Sequence, residues 1–171
     1  MLGSIELKKP GKRNIIFLTM TLIWLGLIFS FSAKPANESS KESAKVGRLV
    51  CSIFVPGFNE MPEDQKLDLA EAIDYPVRKA AHGTEYAILG MLLVGTLYGI
   101  VIINDVNRYS IPSFVFGVLY AASDEFHQLF VPGRSGNAVD VCIDSIGLLT
   151  GVLLVNCILY IYNRYKKRRQ Y

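Results

Sequence analysis

The sequence predicts an all-α membrane protein with four transmembrane helices and two short amphipathic helices in the loop after the first. Three observations carry this. Of the 171 residues, 51% are hydrophobic, and the mean hydropathy is +0.30. Four apolar windows recur along the chain, and with a flanking turn each reaches the roughly 20 residues that cross a hydrocarbon core. Net positive charge is concentrated at the two chain ends. The length suits one domain over residues 1–171.

The first window, Ile15–Phe31, contains Trp24 and sets a span over about 15–32. Ser30 and Ser32 offer a small-x-small cleavage site. The apolar run nevertheless exceeds the usual signal-peptide core of about 7–15 residues, and three more windows follow, so it is read as a retained span. Residues 33–77 form a long loop. Ala33–Lys45, rich in Ser, Lys and Glu, reads as a solvated linker running into a helix. Val46, Leu49, Val50, Ile53 and Phe54 then give that helix one apolar face, and Pro56-Gly57 stops it. Met61-Pro62-Glu63-Asp64 starts a second helix with acids in its first turn and Leu67, Ala70 and Ile73 on one side; Pro76 ends it. Both helices are expected to lie in the membrane interface or fold over the bundle.

The second span covers about 80–103. The third, about 111–131, begins with Ser110 as cap and Pro112 in the first turn. Val131-Pro132-Gly133-Arg134 fits a type II turn with Arg134 at its tip. The fourth span covers about 142–162, and a basic tail occupies 163–171. Gly95-x-x-x-Gly99 and Gly147-x-x-x-Gly151 permit close helix approach.

Charge sets the orientation. Residues 1–14 carry Lys8, Lys9, Lys12 and Arg13 against Glu6, and the tail carries Arg164, Lys166, Lys167, Arg168 and Arg169. The 32–77 segment has five basic and eight acidic residues, net −3. The positive-inside rule therefore places both termini in the cytoplasm and the loop outside the cell membrane. The basic flanks suit anionic membrane lipids; no nucleic-acid-binding module accompanies them. Three cysteines, Cys51, Cys142 and Cys157, read as free thiols, with a Cys51–Cys142 bridge the alternative.

That topology brings the ionisable residues near the spans to the outer end of the bundle. Arg78, His82, Glu85 and Tyr86 share one stripe, with Lys79 beside them. Asp124, His127 and Gln128 share a second, and Asp140, Asp144, Gly147 and Gly151 a third. Glu125 points elsewhere, toward the rim. Polar groups placed there are costly, so they mark a site. With Arg134 they outline an outward-facing pocket, whose ligand-binding candidates are Arg78, Lys79, His82, Glu85, Asp124, His127, Gln128, Arg134, Asp140 and Asp144.

Several chemistries suit these groups. Arg78, Lys79 and Arg134 would hold an anionic ligand, with Asp124, His127 and Asp140 orienting them or it. Catalysis on a phospho-lipid head group would use His127 as acid–base poised by Asp124, with His82 a further candidate. A divalent metal on His82, His127, Asp124 and Asp144 or Glu85 lacks any supporting motif spacing, and no cofactor is predicted. An ion-pair network, Arg78 to Glu85 or Asp124 and Arg134 to Asp140, would merely fix the bundle. Tyr86, Phe126 and Phe130 read as interfacial aromatics. A transporter is disfavoured, since no ionisable residue falls at a midplane.

Lys79-x-x-His82, then Asp124-Glu125-x-x-Gln128-x-Phe130, then Pro132-Gly133-Arg134, then Asp140 ahead of Gly147, resembles the VanZ-like family over roughly residues 20–160. Asp144 stands where many relatives look to carry Asn. The resemblance implies a small multi-pass protein of the bacterial cytoplasmic membrane, linked to reduced teicoplanin susceptibility. Its implied partners are membrane lipids and a lipid-linked wall precursor or lipoglycopeptide. It brings no established reaction.

Overall fold

The computed structural model of the chain describes residues 11–98 and 107–169. They form an all-α fold of six helices: α1 (Lys12–Ser32), α2 (Ala36–Phe54), α3 (Glu63–Ala72), α4 (Asp74–Leu97), α5 (Asn107–Gln128) and α6 (Ala138–Arg168). A single 3-10 turn, Phe58–Glu60, lies between α2 and α3. Two of these helices, α1 and α6, are long and apolar enough to cross a membrane. The helices α4 and α5 carry the other two apolar windows joined to polar turns at one end. Residues 99–103 of the second expected span, and Gly99, lie outside the described residues.

The bundle is organised around α4 and α6, which pack on each other more extensively than any other pair. Small residues make that contact possible. A methyl group at Gly147 would overlap the Gly83 carbonyl, and one at Gly151 the Ala87 carbonyl. The two backbones therefore approach to a distance that only glycine tolerates, which is what the Gly147-x-x-x-Gly151 spacing led us to expect. Gly95 serves otherwise: it faces the Phe17 ring of α1. The core beside the α4–α6 contact is Tyr86, Leu89, Leu93, Ala121, Leu148 and Ile28.

Polar side chains fix α1 and α5 to this pair. Asn14 donates to the Thr96 carbonyl at 3.1 Å, and the Thr21 and Thr96 hydroxyls meet at 3.0 Å. Tyr120 of α5 donates to the Leu25 carbonyl at 2.7 Å. The Asn156 amide donates to Ser110 Oγ at 2.9 Å. Hydrogen bonds of this kind let apolar helices select one register where burial alone would not.

Three expectations need correction. The linker before α2 is largely helical, because α2 starts at Ala36, directly after Pro35. Its buried face is Ser43, Gly47 and Cys51. Gly47 packs on the Ala70 backbone of α3, so small residues make the inner contact, while Val46, Leu49, Ile53 and Phe54 are exposed at 49, 61, 66 and 77%. Pro76 ends nothing: it sits in the first turn of α4, where a missing N–H costs nothing. Ser110 is not a cap, since α5 already begins at Asn107 and contains Pro112 within it. All three cysteines are free, Cys51 buried and Cys142 and Cys157 exposed.

Candidate functional site

One end of the bundle collects the polar groups: the start of α4, the end of α5 and the start of α6. The turn between α5 and α6 shapes it. Gly133 has φ +74 and the Arg134 N–H donates to the Val131 carbonyl at 3.1 Å, the expected type II geometry. This turn docks on the α1–α2 junction. The Ala36 N–H donates to the Pro132 carbonyl at 3.1 Å, and Arg134 Nε donates to the Lys34 carbonyl at 3.2 Å. Asn137 then caps α6, its side chain accepting the Val139 N–H at 3.0 Å.

Along the α4–α6 contact the charges meet in register. Lys79 pairs with Asp140, and one turn deeper His82 Nδ1 lies 3.9 Å from Asp144 Oδ1. The same two helix faces continue into the Gly147 and Gly151 contacts, so the third stripe holds together as its spacing implied. Asp144 is fully buried, and neither of its carboxylate oxygens has a hydrogen-bond partner among the described residues. Its charged neighbours are Glu125, Asp124, Asp140 and Glu85.

The other two stripes split. Arg78, His82 and Glu85 face a cavity, while Tyr86 turns into the core, fully buried, with its hydroxyl unpartnered near Asp124 and Asp144. The interfacial reading of Tyr86 is therefore wrong; Phe126 and Phe130 do remain exposed and pack edge to face at 5.4 Å. On α5, Asp124 and Gln128 are buried together, but His127 stacks on Phe29 of α1 with centroids 4.7 Å apart.

Glu125 was expected at the rim and lies inside. It is 5% exposed, accepting from the Gln128 amide at 3.2 Å and from the Asn137 N–H at 2.9 Å. The chain reverses so soon after Gln128 that the α5–α6 loop covers the face Glu125 occupies. Spacing along α5 alone could not show this. The expected Arg78 and Arg134 pairings also change. Because α4 begins at Asp74, Arg78 finds that residue one turn back, at 3.1 Å. Arg134 has no ion pair among the described residues. Burial first, then the nearby Arg78 guanidinium, pushes the Arg134 guanidinium down from its ordinary value.

Arg134, Arg78, His82 and Glu85 line a cavity of about 560 Å³ between α1, α2 and α4. Its remaining walls are mostly apolar, including Trp24, Phe31, Val46, Val50, Val77 and Ile88. Trp24 is the only tryptophan in the chain, and its indole N–H is committed to the Glu85 carbonyl at 2.9 Å. Sequence reasoning missed this apolar half, because α2 reaches the cavity through a fold-back that periodicity does not reveal. Among the described residues no three His, Cys, Asp or Glu side chains converge as metal ligands.

The family model described as VanZ/LLP1 matches residues 17–160. The chain belongs to the VanZ/LLP1 family. It is thus a membrane protein of that family, and the matched region takes in the cavity and the carboxyl cluster behind it. No curated protein and no solved structure matches the chain. In this VanZ/LLP1 chain the Lys79-x-x-His82 motif has a structural partner: it faces Asp140 and Asp144 on α6. The Pro132-Gly133-Arg134 motif delivers Arg134 to the cavity.

Proposed function

We propose that this chain crosses a bacterial cytoplasmic membrane four times, as a single domain with both termini in the cytoplasm. In its outward half it binds an anionic amphiphile, a lipid-linked wall precursor or a lipoglycopeptide, and so tunes envelope properties, teicoplanin susceptibility among them. One observation carries the reading: the 560 Å³ cavity joins apolar walls to Arg78 and Arg134. Pockets of this size with few polar groups suit organic ligands, and guanidinium groups suit phosphate or carboxylate.

The membrane placement rests on the four apolar windows and the basic ends. The exposed stripe Val46, Leu49, Ile53 and Phe54 on α2 supports a helix lying in the outer interface. Binding is preferred to hydrolysis by His127, because His127 packs on Phe29 and does not line the cavity. Arg134, Arg78, Glu85 and His82 would contact the ligand. Lys79, Asp124, Gln128, Asp140 and Asp144 would hold that wall in place.

The test is complementation of a deletion strain with wild type, Arg134→Gln or Arg78→Gln at matched membrane levels, scored for teicoplanin and envelope-stress susceptibility. The double variant should fail like the deletion. Full complementation by it would remove the binding reading.

A further inference from the structure

Glu85 lines the same cavity as Arg78 and Arg134, yet it pairs with neither. Its side chain has no hydrogen bond or ion pair among the described residues. Arg134 feels the Glu85 charge without joining it. The other nearby carboxyls are engaged or buried: Asp74 holds Arg78, Asp140 holds Lys79, Glu125 accepts from Gln128 and Asn137, and Asp124 and Asp144 are sealed behind the wall. Glu42, which also lines the cavity, is tied to Lys34 at 2.7 Å. A half-buried carboxylate without a cation, in the same cavity as a half-buried guanidinium without an anion, is an arrangement with both charges left to satisfy.

We propose that the cavity takes a zwitterionic amphiphile, a phospholipid-type molecule whose anionic group meets Arg134 and Arg78 and whose primary ammonium meets Glu85. The acyl part would lie along Phe31, Val46, Val50 and Ile88. This rests on the amphiphile reading above and narrows it to head groups that carry an amine as well as an anion. An ammonium satisfies three donors on a carboxylate and nearby carbonyls, and such charge-assisted contacts in a water-poor site discriminate strongly. A purely anionic head group leaves Glu85 unpaired beside a like charge.

Trp24 makes the test direct, being both a cavity residue and the sole indole. The full-length protein in uncharged detergent micelles is titrated with acyl-brominated phosphatidylethanolamine or phosphatidylglycerol, and quenching of Trp24 emission is followed. The expected result is saturable quenching by both, with phosphatidylethanolamine about fivefold tighter or more. Glu85→Gln should abolish that preference, and Glu85→Asp should retain part of it. Arg134→Gln should weaken both lipids about tenfold. Unchanged melting temperature of Glu85→Gln excludes misfolding as the cause. Equal affinities, or a preference that survives Glu85→Gln, overturn the inference alone. No saturable quenching by either lipid overturns the amphiphile reading beneath it.

Discussion

Glu125 holds the loop between α5 and α6 closed onto its own helix. Its Oε2 accepts the Asn137 backbone N–H at 2.9 Å, while its Oε1 accepts the Gln128 amide at 3.2 Å. One side chain thereby fixes the helix end, the loop and the residue that caps the next helix. Gly136 lies directly against the Glu125 carbonyl, where a side chain would collide.

Glu125→Ala removes the hydrogen bonds to the Asn137 N–H and the Gln128 amide, at a cost of about 1–3 kcal/mol. Glu125→Gln keeps the shape and an acceptor, so it should lose less. Melting temperatures in detergent are expected to fall in the order wild type, Glu125→Gln, Glu125→Ala. An alanine variant as stable as wild type would show that the loop closes without this residue.

The α4–α6 contact makes a sharper contrast. Gly147→Ala and Gly151→Ala each push a methyl into the carbonyl of Gly83 or Ala87, and overpacking of that kind costs about 1–3 kcal/mol. Gly26 in α1 has open space where a methyl would go. Gly26→Ala should therefore be neutral or gain up to about 1 kcal/mol of helix propensity. Thermal denaturation of the three variants under one condition checks the ranking.

Lys79 and Asp140 are about four-fifths buried as side chains, 21% and 17% exposed. Asp140→Lys faces two ammonium groups across the α4–α6 seam and should lower stability by about 2–4 kcal/mol. Combining it with Lys79→Asp restores opposite charges and should recover at least half of the loss. Failure of the double variant to recover any stability would show that the pair does not couple the helices.

Outside the membrane spans, α2 meets α3 through Arg48 and Glu63. Hydrogen bonds from Arg48 and then Lys66 hold the Glu63 carboxyl below its usual range. A group whose folded pKa is depressed gives stability that is present above its unfolded pKa and is lost as pH falls through the folded one. Amide protection factors in α3, corrected for the intrinsic pH dependence of exchange, should thus stay constant from neutral pH down to the ordinary carboxylate range and fall below it. Glu63→Gln should remove that dependence while changing neutral-pH exchange little, since the carboxyl is fully exposed and the pair is screened.

How much of this was legible in the sequence depends on what each signal measures. Hydropathy marks lipid-facing length, so it found the apolar windows but began α4 at residue 80 instead of Asp74 and α6 at 142 instead of Ala138. Helical polar turns look like loop to such a scale. Spacing put Asp140, Asp144, Gly147 and Gly151 on one face correctly, because they share one straight helix. It placed Glu125 outward because the covering segment, Leu129–Asn137, is a turn whose path no helical period encodes. On α2 the apolar stripe was found with its direction left open, and the inner face proved to be Ser43, Gly47 and Cys51, the small residues that admit a close neighbour. The apolar half of the cavity needs α2 folded onto α1 and α4, a long-range arrangement that local periodicity does not contain.

The 31 residues of α6 make a rod about 46 Å long, well beyond the roughly 30 Å of hydrocarbon in the proposed membrane. One end carries Asp140 and Asp144; the other carries Arg164 over the Tyr160 ring at 5.5 Å and Arg169 over the Tyr165 ring at 4.8 Å. In the proposed orientation, cationic and aromatic groups of this type would moor the helix at the cytoplasmic headgroups. A mooring on one side and an acid pair on the other, joined by an unbroken helix, act as a ruler. In the proposed membrane a deleted turn would shift how deep Asp144 sits by one helical pitch, about 5.4 Å, and a thinner bilayer would shift it by the thickness lost, so membrane thickness itself sets the depth of the acid pair.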